Sequence, residues 1–150
     1  MKPVLQPNEC HASALRGASR RLSQIYDEEL APSGLRGTQF SVLVRIERRG
    51  SASLNELADD MAMDRSTLGH NLRPLERDGL VSLGVDPADR RSRTITLTAE
   101  GKKKLADARP LWLKAHTRFE TAFGADRAAK LRALLREIAS DEFLASMTAS

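Results

Sequence analysis

The fold of this chain is decided by residues 53–98, which read SLNELADDMAMDRSTLGHNLRPLERDGLVSLGVDPADRRSRTITLT. Ser53 followed by Glu56 is a capping-box pattern and predicts that a helix begins here. Asp64 is a suitable N-cap for a second helix, which we expect over residues 65–78. The segment therefore begins with two helices that are joined by a short turn.

The second helix has two different faces. Leu68, Leu72 and Leu75 fall within about 60° of one another, which predicts that they form the buried stripe. Pro74 removes one backbone amide, so it either kinks the helix or marks a tolerated bend. The opposite face is polar and partly basic, and we expect it to carry Arg65, Ser66, Thr67, Gly69, His70, Arg73 and Arg77.

Two short strands follow these helices. Leu80–Leu83 and Thr94–Thr98 alternate like the two halves of a hairpin. The loop between them, residues 85–93, carries Arg90, Arg91 and Arg93 together with Asp86 and Asp89. We expect the two aspartates to hold the loop in shape, partly by pairing with its arginines. Two helices followed by such a hairpin, the wing, make a winged helix-turn-helix.

The two most exposed features of this segment suit the two grooves of duplex DNA. In a helix-turn-helix, the early turns of the second helix meet base edges in the major groove. Arginine in a thin loop fits the minor groove, where its charge meets an enhanced negative potential. The alternative is a solvated helix face beside a solvated charged loop. We expect the polar helix face and the wing arginines to contact DNA.

The remainder of the chain is expected to be helical, because apolar side chains recur there at helical spacing. We expect Thr98 to cap the helix that follows the wing, Pro110 to kink it, and Asp126 to cap the last helix. The apolar stripes lie at residues 15–30, 40–46, 105–123 and 131–138.

These terminal helices offer more apolar surface than one small winged helix can cover. We therefore expect residues 1–150 to form a single integrated unit that pairs as a homodimer. Its DNA-binding region is expected at residues 36–98, and its helical dimerisation region at residues 9–32 and 99–147. The alternative is that all the stripes fold back within one chain. The fold class is mainly α with a small β-hairpin wing.

Several segments resemble the MarR-type transcription regulators. Asp89–Arg91 and the later Ile95–Gly101 are similar to the family's wing and the helix start after it. Leu75–Val81 resembles the exit of its recognition helix, and Leu35–Phe40 resembles the start of its second helix. The resemblance spans about residues 11–145. It implies a dimer that binds a palindromic operator, and repression or activation that is tuned by a small molecule or an oxidant.

The resemblance further implies a small, often aromatic or phenolic ligand between the dimerisation helices and the winged helix. Such a ligand would release a repressor from its operator. The candidate pocket residues are Arg16, Tyr26, Trp112 and His116, and for each of them a packing or surface role is the alternative.

An oxidant is the other effector that the resemblance suggests. Residues 15–20, Tyr26 and Leu30–Pro32 resemble the organic-peroxide-sensing branch, in which two tyrosines hold an N-terminal cysteine. Tyr26 matches one tyrosine, but the other position is Gly37, and Cys10 lies two residues upstream of the expected place. Cys10 is thus a redox candidate, whereas a lone cysteine near a terminus is most often incidental.

Composition agrees with a DNA-binding regulator. A chain of 150 residues with 41% apolar content suits one compact unit, and its net charge of +4 is compatible with a polyanionic partner. An aromatic content of 4% argues against a platform that stacks single-stranded bases. We see no apolar run of membrane-spanning length and no signal-peptide pattern, so we expect a cytoplasmic protein.

Catalysis is not expected. The three histidines, His11, His70 and His116, fall in different segments, and the sequence shows neither a phosphate-binding glycine loop nor the HExxH metal motif. We expect no cofactor and no metal. A winged helix that binds another protein and has no affinity for DNA stays open as an alternative, although its exposed helix face should be apolar.

Overall fold

The computed structural model describes residue 6 and residues 9–149 of the chain. Helices dominate, and the short strands lie in the middle of the chain. The elements in chain order are α1 (His11–Leu30), α2 (Gly37–Arg49), β1 (Ala52–Ser53), α3 (Leu54–Asp60), α4 (Arg65–Arg77), β2 (Val81–Val85), β3 (Arg93–Leu97), α5 (Ala99–Phe123), α6 (Ala125–Ile138) and α7 (Asp141–Thr148).

The strands form a three-stranded antiparallel sheet in the order β1-β3-β2. Ala52 lies opposite Ile95, and Val81 lies opposite Leu97. The strand β1 was not predicted, because two residues are too short for a periodic pattern. Val85 and Arg93 pair with each other, so the loop is shorter than predicted and Arg93 belongs to a strand.

The helix-turn-helix forms as the capping pattern predicts. The Glu56 amide donates to Ser53 Oγ (3.2 Å), and the Ser53 amide donates to Glu56 Oε2 (2.7 Å). Asp64 Oδ1 accepts from the Thr67 amide (2.8 Å) and so caps α4. Ala62 has a φ of 48°, a left-handed conformation that lets the chain reverse within the short turn between the helices.

The core lies within the winged helix and under the first half of α5. Leu57, Leu68 and Leu75 are fully buried, and so are Ile46 and Leu105. Burial of one such side chain contributes about 1.5–3 kcal/mol. The stripe predicted for α4 is confirmed, since it packs inward from a helix that continues through Pro74.

A compact junction links the recognition helix α4 to α5. The Thr98 hydroxyl donates to the Gly79 carbonyl (2.5 Å), and the Thr98 amide donates to the Leu80 carbonyl (3.1 Å). The Gly101 amide donates back to Thr98 Oγ1 (3.0 Å), which confirms Thr98 as a cap. A Cβ atom at Gly101 would overlap the Leu80 carbonyl, so this contact requires glycine.

The terminal helices pack against each other less completely. Helix α1 runs along α5, and α5 contacts α6, yet Leu134, Leu144 and Met147 are 57%, 62% and 67% exposed. None of the helices in the described part of the chain is both long and apolar enough to cross a membrane.

The C-terminal end differs from the prediction in two ways. Asp126 is not the N-cap, because the N-cap position falls two residues earlier, at Gly124, and α6 begins at Ala125. The helix ends at Ile138, the last residue of its predicted apolar stripe, but a separate helix follows that was not predicted. Ser140 Oγ caps this last helix by accepting from the Phe143 amide (3.1 Å).

Candidate nucleic-acid interface

The polar face of α4 points away from the core. Ser66, His70, Arg73 and Arg77 are exposed, and so is Arg65. This arrangement follows from the helical period, because the three buried leucines occupy the other side. The side chains expected to meet base edges therefore lie on the surface of a helix that is fixed from below.

Thr67 and Gly69 play different parts on this helix. The Thr67 hydroxyl donates to Asp64 Oδ2 (2.6 Å), so it completes the cap. This bond and the bond from the Thr67 amide hold the pKa of the Asp64 carboxyl below its usual range. A Cβ atom at Gly69 would meet no atom within 4 Å, so this position is open to an approaching partner.

The wing loop is shaped by backbone hydrogen bonds. Asp86 Oδ1 accepts from the Ala88 amide (2.8 Å), and Asp89 Oδ1 accepts from the Arg91 amide (3.0 Å). Among the residues that the structure describes, no ion pair joins either aspartate to an arginine. The expected pairing with arginines is therefore wrong. Arg90, Arg91 and Arg93 are all exposed.

A groove of about 320 Å³ separates α4 from the wing, and we call it the wing-side groove. Four arginines line it, with Glu76 as the acidic residue on its wall and apolar side chains of the core at its floor. The concentration of positive charge suits a polyanion. The four arginines are Arg65 and Arg73 from α4 and Arg91 and Arg93 from the wing.

A second groove of about 330 Å³ lies on the other side of α4, beside the start of α2, and we call it the α2-side groove. Sequence reasoning missed it, because its residues come from three distant segments and look individually like solvated polar residues. Asn55 of α3, which lines the wing-side groove, was missed for the same reason. The α2-side groove is lined by Asp27, Arg36, Thr38, Gln39, His70, Asn71 and Pro74.

Three of the four candidate effector residues meet in an aromatic cluster. The Trp112 ring stacks on His116 at a centroid distance of 4.7 Å and on Phe40 at 5.8 Å. The Tyr26 ring lies 6.3 Å from Trp112 at a tilted angle. Phe40 was predicted only as a core residue, although it joins α2 to this cluster. Arg16 is exposed on α1, ten residues and about 15 Å before Tyr26, so it does not join them.

A polar edge borders the aromatic cluster. Glu120 Oε1 lies 3.3 Å from His116 Nε2 and 3.0 Å from Arg132 Nη1. The pKa of Tyr26 is raised, first by burial and then by the nearby Glu120 carboxylate, while Arg132 acts in the opposite direction. The cluster therefore combines flat apolar rings with a carboxylate and a guanidinium at one side.

Cys10 stands apart from these groups. It occupies the N-cap position of α1, is exposed, and makes no capping hydrogen bond through its side chain. Among the residues that the structure describes, no three His, Cys, Asp or Glu side chains are grouped so that they could hold a metal ion.

Known proteins resemble this chain over most of its length. The family model of the MarR family matches residues 35–92. The transcriptional regulator HosA of Escherichia coli O111:H- is 34% identical over 104 residues, which are 65% of this chain and 77% of HosA.

Two solved structures share the fold. The transcriptional regulator MosR of M. tuberculosis, solved in complex with DNA, is 36% identical with a TM-score of 0.80, and the match covers 87% of this chain and 94% of MosR. BpsR of Bordetella bronchiseptica, whose DNA binding is regulated by 6-hydroxynicotinic acid, is 25% identical with a TM-score of 0.81. That match covers 92% of this chain and 99% of BpsR.

This chain belongs to the MarR family of DNA-binding transcriptional regulators. The relatives confirm the predicted winged helix-turn-helix, and they confirm that the chain is a regulator rather than an enzyme.

Proposed function

We propose that this chain is a sequence-specific repressor that binds a palindromic operator as a homodimer and is released by a small aromatic ligand. The observation that carries the proposal is the wing-side groove, where four arginines lie beside the outward face of α4. MosR, which has the same fold, is seen bound to DNA.

The recognition helix α4 and the wing contact different parts of the DNA. His70 and Arg73 lie on the outward face of α4 and can reach base edges in the major groove, where donors and acceptors differ between base pairs. Arg90 and Arg91 lie in the wing loop and contact phosphates and the minor groove, where contacts depend little on base sequence.

The exposed apolar residues of the terminal helices support a homodimer. Leu15 and Ile25 on α1, and Leu134, Ile138 and Leu144 on α6 and α7, are all exposed. Pairing of two copies around a twofold axis buries such surface and places the two recognition helices on one side of the dimer. The operator is then an imperfect palindrome with half-sites about one helical turn apart.

The aromatic cluster supports a flat ligand as the effector. Trp112 and His116 offer ring faces, and Arg132 offers a guanidinium that can hold a carboxylate or a phenolate. Regulation of BpsR by 6-hydroxynicotinic acid, an aromatic acid, fits this chemistry. A ring that enters between Trp112 and Phe40 would displace Phe40, which belongs to the winged helix, and its binding would then be coupled to α2.

Electrophoretic mobility shift with the DNA upstream of the protein's own gene tests the operator contacts. We expect His70→Ala and Arg73→Ala each to relax base preference by about 1–3 kcal/mol per lost contact. If both variants bound every operator variant like the parent, the recognition-face assignment would be wrong. If the parent bound no duplex, the protein-binding alternative would stand instead.

The ligand is tested through the fluorescence of Trp112, which is the chain's one tryptophan. A panel of aromatic carboxylic acids and phenols is titrated against the free dimer and against the operator complex. We expect a ligand that quenches Trp112 to release the operator, and we expect His116→Ala to weaken it. Arg16→Ala, which lies outside the cluster, is the matched control and should bind the ligand like the parent.

A further inference from the structure

The recognition helix α4 is flanked by a groove on each side. Gly69 and Arg73 line the wing-side groove, whereas His70 and Pro74 line the α2-side groove. At about 100° per residue, the outward face lies between these two flanks. The DNA major groove is about 12 Å wide and is bordered by both phosphate backbones, so a helix lying in it presents each flank to a different strand.

Arg36 and Thr38 form the outer wall of the α2-side groove, and both residues are exposed. Two backbone amides at this flank are already engaged within the protein. The Arg36 amide donates to Gln39 Oε1 (3.0 Å), and the Gly37 amide donates to Asp27 Oδ1 (2.7 Å). Because the Arg36 amide is already engaged, a contact of Arg36 with a partner must come from its side chain.

This flank carries less positive charge than the wing side, so we expect it to attract phosphate less strongly. The Arg36 guanidinium is the permanent positive charge, His70 is the second basic group, and Asp27 is the acidic group of the groove. The Asp27 carboxylate is held by the Gly37 amide, which draws it toward the base of α2. One arginine set against one anchored carboxylate predicts one phosphate contact rather than a basic patch.

We propose that Arg36, with Thr38 beside it, contacts the operator phosphate backbone on the side of the recognition helix away from the wing. Each protomer then holds both strands of its half-site, one through the wing and one through the start of α2. The inference rests on the proposed binding of duplex DNA. Because phosphate contacts position the protein without reading bases, the residue adds affinity and register, not sequence preference.

The first test measures operator affinity of the full-length protein over a range of salt concentrations. Arg36→Gln should lower affinity roughly tenfold or more for all operator variants alike. It should flatten the log–log salt slope by about 0.9 per lost contact, or about 1.8 for a dimer. Arg36→Lys should restore most of the slope. Arg48→Gln, an exposed arginine at the other end of α2, is the matched control and should leave the slope unchanged.

The second test locates the contact by replacing single operator phosphates with uncharged methylphosphonates. The parent should lose affinity at phosphates on both flanks of each half-site. Arg36→Gln should lose this sensitivity on one flank, and the double variant Arg90→Ala and Arg91→Ala should lose it on the other.

The outcomes separate the two proposals. An unchanged salt slope and an unchanged phosphate map in Arg36→Gln would overturn the contact while leaving operator binding intact. An equal loss in Arg48→Gln would also overturn it, because the effect would then be one of net charge. A parent protein without a footprint on duplex DNA would instead remove the proposed function itself. Circular dichroism of Arg36→Gln should match the parent, since the capping bond to Gln39 comes from the backbone.

Discussion

The winged helix and the terminal helices treat their apolar residues in opposite ways. In the winged helix, side chains such as Leu57 and Leu68 are fully buried within one chain, and the strands β2 and β3 close the core from the side. On α6, Leu134 faces outward although the apolar spacing of this helix is just as regular, and Leu144 on α7 is exposed as well. Folding and assembly therefore rest on different regions. The winged helix completes its own core within one chain, whereas the terminal helices offer apolar surface to a second copy.

The largest expected effect separates these two regions directly. Leu68→Ala should lower the free energy of unfolding by about 2–5 kcal/mol, because it leaves a cavity in a closed core. Leu134→Ala should change the unfolding of the isolated protomer little, but it should weaken the dimer. Urea denaturation and sedimentation equilibrium measure the two quantities. Equal losses of stability in both variants, with the dimer intact, would show that α6 belongs to the same core.

Two glycine substitutions should have the next largest effects, and they contrast a tightly packed position with an open one. Gly101→Ala forces a methyl group against the Leu80 carbonyl and should cost about 1–3 kcal/mol of stability. Gly69→Ala meets nothing within 4 Å, so stability should hold or rise by up to about 1 kcal/mol. Its methyl group lies in the wing-side groove and should weaken operator binding. Thermal unfolding measures the stability of both variants, and a mobility shift measures operator binding by Gly69→Ala. A Gly101→Ala variant as stable as the parent would contradict the close contact between Gly101 and Leu80.

Asp64→Ala should lower the free energy of unfolding through loss of the cap on α4. The pKa of Asp64 is lower in the folded state than in the unfolded chain, so protonation favours unfolding. The contribution is therefore complete above about pH 4 and is lost as pH falls further. The gap in stability between parent and variant should shrink in acid.

Ser140→Ala is the matched control for this pH dependence. It removes the neutral cap of α7, so its penalty should not vary with pH through the cap itself. A pH-independent gap for Asp64→Ala would contradict the assigned role of its carboxylate.

The smallest expected effect concerns Cys10. Cys10→Ser should keep operator affinity and ligand release, because the thiol is exposed, caps nothing, and lies ahead of α1. Mobility shifts with and without an organic hydroperoxide measure this. Operator release by peroxide in the parent that disappears in Cys10→Ser would favour the oxidant over the aromatic ligand.

Much of the fold could be predicted from the sequence where the pattern is local. The faces of α4 follow from leucines at helical spacing, and the helix starts follow from Ser53, Asp64 and Thr98. The last helix was not predicted, although Ser140 followed by Asp141 and Glu142 is itself a helix-start pattern. The strand β1 could not be predicted, because its two residues are too few for a periodic side-chain pattern.

The candidate site likewise has parts that could be predicted from the sequence and parts that could not. The polar face of α4 and the wing arginines lie in one continuous segment, so their proximity could be predicted. The grooves could not, since Arg36 meets His70 only after α2 and α4 have packed together. The pairing of the wing aspartates with arginines was predicted wrongly because sequence gives charge but not geometry, and their short side chains reach neighbouring amides first.

The junction at Thr98 also has a mechanical consequence. The Thr98 hydroxyl and amide donate to the carbonyls of Gly79 and Leu80, which follow α4, and Gly101 packs directly against Leu80. These contacts join the recognition helix to α5 almost rigidly, so that α5 acts as a lever arm. Trp112 lies about 20 Å along that arm from Ala99. A rotation of α5 by about 5° around Trp112 would displace its start at Ala99 by nearly 2 Å, roughly half the diameter of a methyl group. The recognition helix would move with it.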